Sequence, residues 1–244
     1  MQRPHGTSCC CHACLVRRAG QHQQAGEAQV WEVLGELRHG QRDVMGLALC
    51  GDVLVSGSDD TTAIVWSVSQ RARLATLREH TGGVKSIDVS TDCTVIATGS
   101  HDRTARVYAP DDTGTPAVRH TLRHPDYVNA VHMSAGVLAT GCYDRIVRTY
   151  ALVSGELTRE LRGHGCAIFG VAICGSMLAS GAYDGTVRVW SLREGDATDK
   201  CSAVLEHGGD VRGVALWPSP SAGGLLLASL SSGSSIFHSG RLTV

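Results

Sequence analysis

Four sets of side chains along this chain could, by type alone, activate a nucleophile. His39 goes with Ser56 and Asp60, His80 with Thr98 and Asp102, His124 with Thr140 and Asp144, and His164 with Ser180 and Asp184. A histidine between a hydroxyl and a carboxylate is the arrangement of Ser-His-Asp hydrolysis, in which the imidazole takes the hydroxyl proton and the acid orients the imidazole. A catalytic trio is needed once. This one occurs four times, and six residues after each Asp stands an aromatic: Trp66, Tyr108, Tyr150 and Trp190. Such repetition points to a frame rather than a reaction. Within a frame the same groups form buried hydrogen bonds, each worth about 1 kcal/mol, while an orphaned partner costs about 1–3 kcal/mol. No catalytic residue, metal site or cofactor is assigned, and a hydrolase using one of the trios stands as the remote alternative.

The elements that must position these groups are short. Val171–Ile173, Met177–Ala179 and Val187–Trp190 are brief, β-rich and bounded by Gly, Ser or Asp, with none of the 3.6-residue period of a helix. The four aromatics are 42, 42 and 40 residues apart. A Gly follows each hydroxyl (Gly57, Gly99, Gly141, Gly181), and a Leu precedes each His (Leu37, Leu77, Leu122, Leu161, and Leu205 before His207). A period of about 40–45 residues with four strands per unit is that of a propeller blade.

In these marks the chain resembles the WD-repeat (WD40) β-propeller family over roughly residues 30–244. The resemblance implies an all-β propeller of about five four-stranded units, near 37–68, 77–109, 122–152, 161–192 and 205–244. It also implies a non-enzymatic scaffold that binds other proteins, as part of a multi-subunit complex. In the family, His bridges the turn Asp and the Ser/Thr of the second strand, which reaches the Trp indole N–H; Tyr108 and Tyr150 are expected to interrupt that chain. The fifth unit is degenerate: Ser231-Ser232-Gly233 stands where the turn Asp belongs, and Ile236–Ser239 where the Trp strand belongs. The strand before the first His, Val30–Leu37, is expected to complete it. The unit count leaves open a truncated or variant chain, a five-bladed ring, or an arc completed by a partner. Trp190-Ser191-Leu192-Arg193 is similar to the W-D-x-R box of WD-repeat substrate receptors of cullin-type ubiquitin ligases, with Ser in place of Asp, and that role is the second functional reading.

Composition narrows the partners. The net charge of −1 supplies no field for nucleic acid or a membrane surface, and no apolar run reaches the roughly 18 residues that span a bilayer. Arg106, Arg148 and Arg188 share one strand face and are expected to be solvated. Ten Cys are present. Four fall within residues 1–26, a Cys/Arg/Gln-rich stretch without an acid that reads as a disordered tail. Cys50, Cys93 and Cys174 border apolar runs and read as free buried thiols, which suits a reducing cytoplasmic or nuclear setting.

Binding positions follow from the repeat. Scaffold positions stay alike between units, whereas two columns differ: the residue before each turn Asp (Asp59, His101, Tyr143, Tyr183) and the residue after the leading apolar position of each first strand (Met45, Lys85, Asn129, Phe169, Arg212). The resemblance places both columns on the top face around the central opening. A partner peptide is expected to bury an apolar side chain near Phe169 and Tyr183.

Overall fold

The computed structural model describes residues 12–18, 31–193, 201–218, 225–232 and 235–239. All regular structure among them is strand. A two-stranded sheet, β1 (His12–Arg18) and β2 (Trp31–Arg38), comes first. Blade 1 holds β3 (Val44–Cys50), β4 (Val53–Ser58), β5 (Ala63–Ser67) and β6 (Ala72–Leu77). Blade 2 holds β7 (Val84–Val89), β8 (Ile96–Ser100), β9 (Thr104–Pro110) and β10 (Pro116–Arg123). Blade 3 holds β11 (Val128–Ser134), β12 (Val137–Cys142), β13 (Val147–Ala151) and β14 (Leu157–Leu161). Blade 4 holds β15 (Ile168–Cys174), β16 (Met177–Ala182), β17 (Thr186–Ser191) and β18 (Cys201–Glu206). The fifth sheet has three strands, β19 (Val211–Pro218), β20 (Leu225–Ser231) and β21 (Ser235–Ser239). Every sheet is an antiparallel meander.

The second strands read VLVSGS, IATGS, VLATGC and MLASGA, apolar or small throughout and almost wholly buried, because the first strand of the next blade packs on each. One apolar cluster fills each gap between blades; that between blades 3 and 4 joins Val147 and Leu161 to Ile168, Val171 and Leu178. The Gly after each hydroxyl is a packing requirement. A Cβ on Gly57 would lie 2.7 Å from Val84 Cγ1, and one on Gly181 2.5 Å from Val211 Cγ1, so the next blade leaves no room for a side chain.

The Asp recurs for a local reason. Asp60, Asp102, Asp144 and Asp184 each accept the backbone N–H two residues on, at 2.9–3.1 Å. This Asx turn holds the intervening residue at positive φ: Thr61 at 76°, Arg103 at 67°, Arg145 at 73° and Gly185 at 76°.

Three expectations change. First, β2 does not complete the fifth sheet. It pairs with β1, which lies inside the stretch read as a disordered tail. HACLVRR carries enough β-forming residues to make a strand, and closing the 12-residue link between β1 and β2 costs less chain entropy than closing a link of nearly the whole chain. Second, Arg148 is buried rather than solvated, because Asp144 at 2.7 Å and Glu160 at 3.0 Å hold its guanidinium. Third, Cys50 and Cys93 are joined in a disulfide. Their separation of 43 residues is close to one repeat, so the end of β3 meets the first turn of blade 2. Cys142, Cys166, Cys174 and Cys201 are free, and Cys174 is only partly buried.

Closing a 43-residue loop should stabilise the fold by about 4 kcal/mol through the unfolded state. Reduction, or Cys50→Ser with Cys93→Ser, is therefore expected to move the denaturation midpoint down, while Cys174→Ser, at the matching position of blade 4, leaves it in place. Denaturant titration with and without a phosphine reductant checks this; coincident curves would contradict it.

Candidate functional site

The four trios are wired differently. In blade 4 the chain is complete: Trp190 Nε1–H donates to Ser180 Oγ at 2.9 Å, Ser180 lies 2.8 Å from His164 Nε2, and His164 Nδ1 lies 2.9 Å from Asp184. Since Asp184 accepts, Nδ1 carries the proton and Nε2 accepts from the Ser180 hydroxyl. Ser180 is fully buried, so no substrate can reach it. Blade 2 repeats this with His80 at 2.7 Å from both Thr98 and Asp102, but Tyr108 sends its hydroxyl to Glu79 instead. In blade 1 the imidazole is turned over: His39 Nδ1 meets Ser56 at 2.7 Å, Nε2 meets Thr62 at 2.9 Å, and Thr62 passes the contact on to Asp60. Trp66 still donates to Ser56, at 2.8 Å.

Blade 3 departs most. Asp144 is taken by Arg148, so His124 Nδ1–H donates to the Leu122 carbonyl at 3.1 Å. Nε2 then accepts from Thr140 at 2.9 Å and from the Tyr150 hydroxyl at 3.2 Å. Without a carboxylate at hand, burial pushes the His124 imidazole down to about 4. Burial also lowers His164, where Asp184 opposes the shift. Burial raises the Asp102 carboxyl, but hydrogen bonds from His80 and Thr104 outweigh it and hold the group below the ordinary carboxylate range.

The variable columns converge on one face. The residue before each turn Asp donates its backbone N–H to the residue before the first strand: Asp59 to Asp43 at 3.1 Å, His101 to Gly83 at 3.0 Å, Tyr143 to Tyr127 at 2.8 Å and Tyr183 to Ala167 at 3.0 Å. That bond ties each turn to the inner strand of its own blade. The side chains then reach across to the next blade. Asp59 forms an ion pair with Lys85 at 2.5 Å, His101 meets Asn129, Tyr143 packs edge-on to Phe169 with ring centroids 6.5 Å apart, and Arg212 lies 5.7 Å over the Tyr183 ring. Asn129 is buried and donates to the Ile168 carbonyl at 3.1 Å.

Within blade 4, Phe169 and Tyr183 stack with centroids 3.9 Å apart and planes 8° from parallel. Tyr127 joins the series, stacked on His101 at 4.5 Å and edge-on to Tyr143 at 6.1 Å. Rings thus run unbroken from blade 2 to blade 4 and end under Arg212. Met45, Lys85, His101, Asn129, Phe169 and Arg212 line one cavity of about 500 Å3 in the middle of this face. Met45, in its lining, is exposed, as is Tyr143. Tyr127 is the residue that the two columns miss. It sits in a third variable column, just before the first strand (Asp43, Gly83, Tyr127, Ala167, Asp210), where comparison between units would have found it. Arg193 lies away from this face, its carbonyl and those of Ser191 and Leu192 held by the Arg159 guanidinium.

Comparison with known proteins agrees with this architecture. The family model described as WD domain, G-beta repeat, matches residues 31–67, 71–109 and 155–191. The chain is 31% identical over 110 residues to the DENN domain and WD repeat-containing protein SCD1 of Arabidopsis thaliana, covering 43% of this chain and 9% of that protein. It is 43% identical over 58 residues to eukaryotic translation initiation factor 3 subunit I of Debaryomyces hansenii, covering 24% of this chain and 17% of that one. To the same subunit of Vanderwaltozyma polyspora it is 39% identical over 84 residues, covering 34% and 23%. The matches thus span less than a quarter of each relative's length. WD repeats are thus matched in three places, and the sheets are consistent with a WD-repeat β-propeller.

Proposed function

We propose that this chain is a non-enzymatic interaction scaffold that binds an extended peptide of a partner protein across the ring-lined face, with an apolar side chain of the peptide lodged against Phe169 and Tyr183. The observation that carries this reading is the continuous series of rings His101–Tyr127–Tyr143–Phe169–Tyr183 beside an open cavity. Rigid aromatics offer large contact area at low entropic cost, and Asn129, Lys85 and Arg212 supply a polar rim that orients a main chain or an acidic group. Similarity to a subunit of a translation initiation factor supports a place in a multi-subunit assembly.

Phe169→Ala with Tyr183→Ala should weaken capture of the partner at least a hundredfold, about 3 kcal/mol for two anchors. The melting temperature should hold, because both rings are partly exposed. Capture from a cell extract, run beside a melting curve, tests this; unchanged capture would sink the reading.

A further inference from the structure

At the end of the blades opposite the ring-lined face, the gaps between blades are not filled alike. The residue two places past the aromatic of a third strand leans into the gap behind it. Val68 packs on the cluster of Leu54 and Trp66, Leu152 on that of Leu138 and Tyr150, and Leu192 on that of Leu178 and Trp190. Its main-chain N–H also donates to the carbonyl just before the second strand: Val68 to Asp52 at 2.9 Å, Leu152 to Gly136 at 2.8 Å and Leu192 to Ser176 at 2.7 Å. In blade 2 this residue is Pro110, which is exposed and has no N–H to give. The carbonyl in the matching place belongs to Thr94, and no described main-chain N–H donates to it.

A second filler is missing from the same gap. The fourth strand of blade 2 sends His120 across to blade 3, where its Nε2 lies 3.0 Å from the Val153 carbonyl. The fourth strand of blade 3 sends Arg159 across to blade 4, where its guanidinium donates to the carbonyls of Ser191, Leu192 and Arg193. In blade 1 the same position is Ala75, which stands opposite Val65 as His120 stands opposite Val107 and Arg159 opposite Thr149. Its methyl group is too short to cross. The result is a cavity of about 470 Å3 between blades 1 and 2, lined by Val53, Val65, Ala75, Ile96, Thr94 and Pro110 among others. That volume falls in the range of about 300–1,000 Å3 found for ligand sites. Cys93 also lines it, tied to blade 1 by its disulfide, and no lining residue is shared with the cavity of the ring-lined face.

We infer that this cavity is a docking site for an arginine side chain of a partner protein. The gap lacks an aliphatic group and a cationic hydrogen-bond donor, and one arginine supplies both. Its methylene stem suits Val53, Val65 and Ile96, and its fork of N–H donors suits the Thr94 carbonyl. Arg159 already fills the gap between blades 3 and 4 in this way. Charge favours the same occupant. The blade 2 segments that border the cavity, residues 90–95 and 110–116, carry Asp92, Asp111 and Asp112 and no Lys or Arg. All three acids are exposed. Hydrogen bonds from Ser90 to Asp92 and from Thr113 to Asp111 hold those two carboxyls below the ordinary range, so both are charged at neutral pH. Arg73 of β6 does not compete, since it lies over the Trp66 ring on the opposite face of blade 1. Leu74 and Pro110, both exposed, leave the cavity open for a side chain to enter.

The probe is N-acetyl-arginine methylamide, titrated into the whole chain with its disulfide intact and followed through the backbone amide resonances by NMR. The amides of Ala75, Thr94 and Ile96 should shift and saturate. N-acetyl-citrulline methylamide, which keeps the length of the side chain but not its charge, should bind at least about fivefold more weakly. Ala75→Arg supplies a guanidinium from within the chain, and Pro110→Leu restores the branched side chain and the N–H. Each should weaken binding of the probe at least about tenfold, while Leu157→Asp, at an exposed leucine of β14, should not change it. Absence of a saturable shift at these amides would overturn the inference. So would equal binding of the two probes, or binding that survives both Ala75→Arg and Pro110→Leu.

Discussion

Trp190→Ala is expected to lower the free energy of unfolding by about 4 kcal/mol, the cost of removing a fully buried indole and leaving a cavity. Among the described residues Trp190 is the largest fully buried side chain, set in the cluster between blades 3 and 4 with Leu161, Ile168 and Leu178. Two costs coincide there. The transfer and cavity terms fall on a site whose neighbours are strands that cannot easily collapse inward. The Ser180 hydroxyl also loses the indole N–H it accepts at 2.9 Å while it still serves His164. Ser180→Ala separates the two costs: it should lose only about 1–3 kcal/mol, the penalty for unpaired buried polar groups. Trp217→Ala, on an exposed position of β19, should cost less than about 1 kcal/mol. Denaturant titrations of the three variants check the order. Equal losses for Trp190→Ala and Trp217→Ala would show that the blade 4 frame does not hold the fold.

Acid should destabilise the protein well above the pH at which carboxylates protonate, and His124 should be the largest cause. Its folded pKa lies below its unfolded one because burial disfavours the imidazolium. Between about 6.5 and 4 the unfolded chain therefore binds the proton and the folded chain does not. Stability is flat above that window and falls through it as the pH drops, by about 3 kcal/mol by pH 4 from this group alone. His39 and His164, lowered in the same direction by burial, add to the slope. Asp102 has the opposite charge but the same consequence: a carboxyl held low stabilises the fold above its unfolded pKa and loses that contribution below it, so its share goes at lower pH. His124→Gln should flatten the pH 6.5–4 segment of a stability-against-pH curve, at some cost in stability at pH 7. A slope identical to that of the unchanged protein would contradict the assignment.

Much of this frame was legible in the residues. The spacing of Trp66, Tyr108, Tyr150 and Trp190 set the blade period, and the Asp recurring in four units announced a turn that a short side-chain acceptor closes. Because the repeat fixes backbone positions, each variable column recurs at one point of every blade, and the resemblance implies a shared top face for both. What escaped was pairing that crosses the repeat. That Asp59 reaches Lys85, and Tyr183 reaches Arg212, depends on how far one blade is rotated from the next, and no single unit encodes that angle. Blade 3 escaped for a different reason. Its His, Thr and Asp stand in register, yet Arg148, four residues beyond Asp144, reaches the carboxylate and displaces the histidine. Arg106 and Arg188 occupy the same position in blades whose carboxylate stays with the imidazole. β1 escaped because HACLVRR has neither a turn Asp nor an aromatic to mark it, and only its pairing with β2 shows it as a strand.

In the proposed binding mode the ring-lined face selects an apolar side chain of a peptide. The most direct measurement is selection of a random peptide library on the whole protein, followed by binding of the enriched peptides to that protein and to its Phe169→Ala, Tyr183→Ala variant. Enriched sequences that share an apolar or aromatic anchor, and bind the variant at least a hundredfold more weakly, are the predicted result. Peptides that bind both proteins alike, or no enrichment at all, would contradict it.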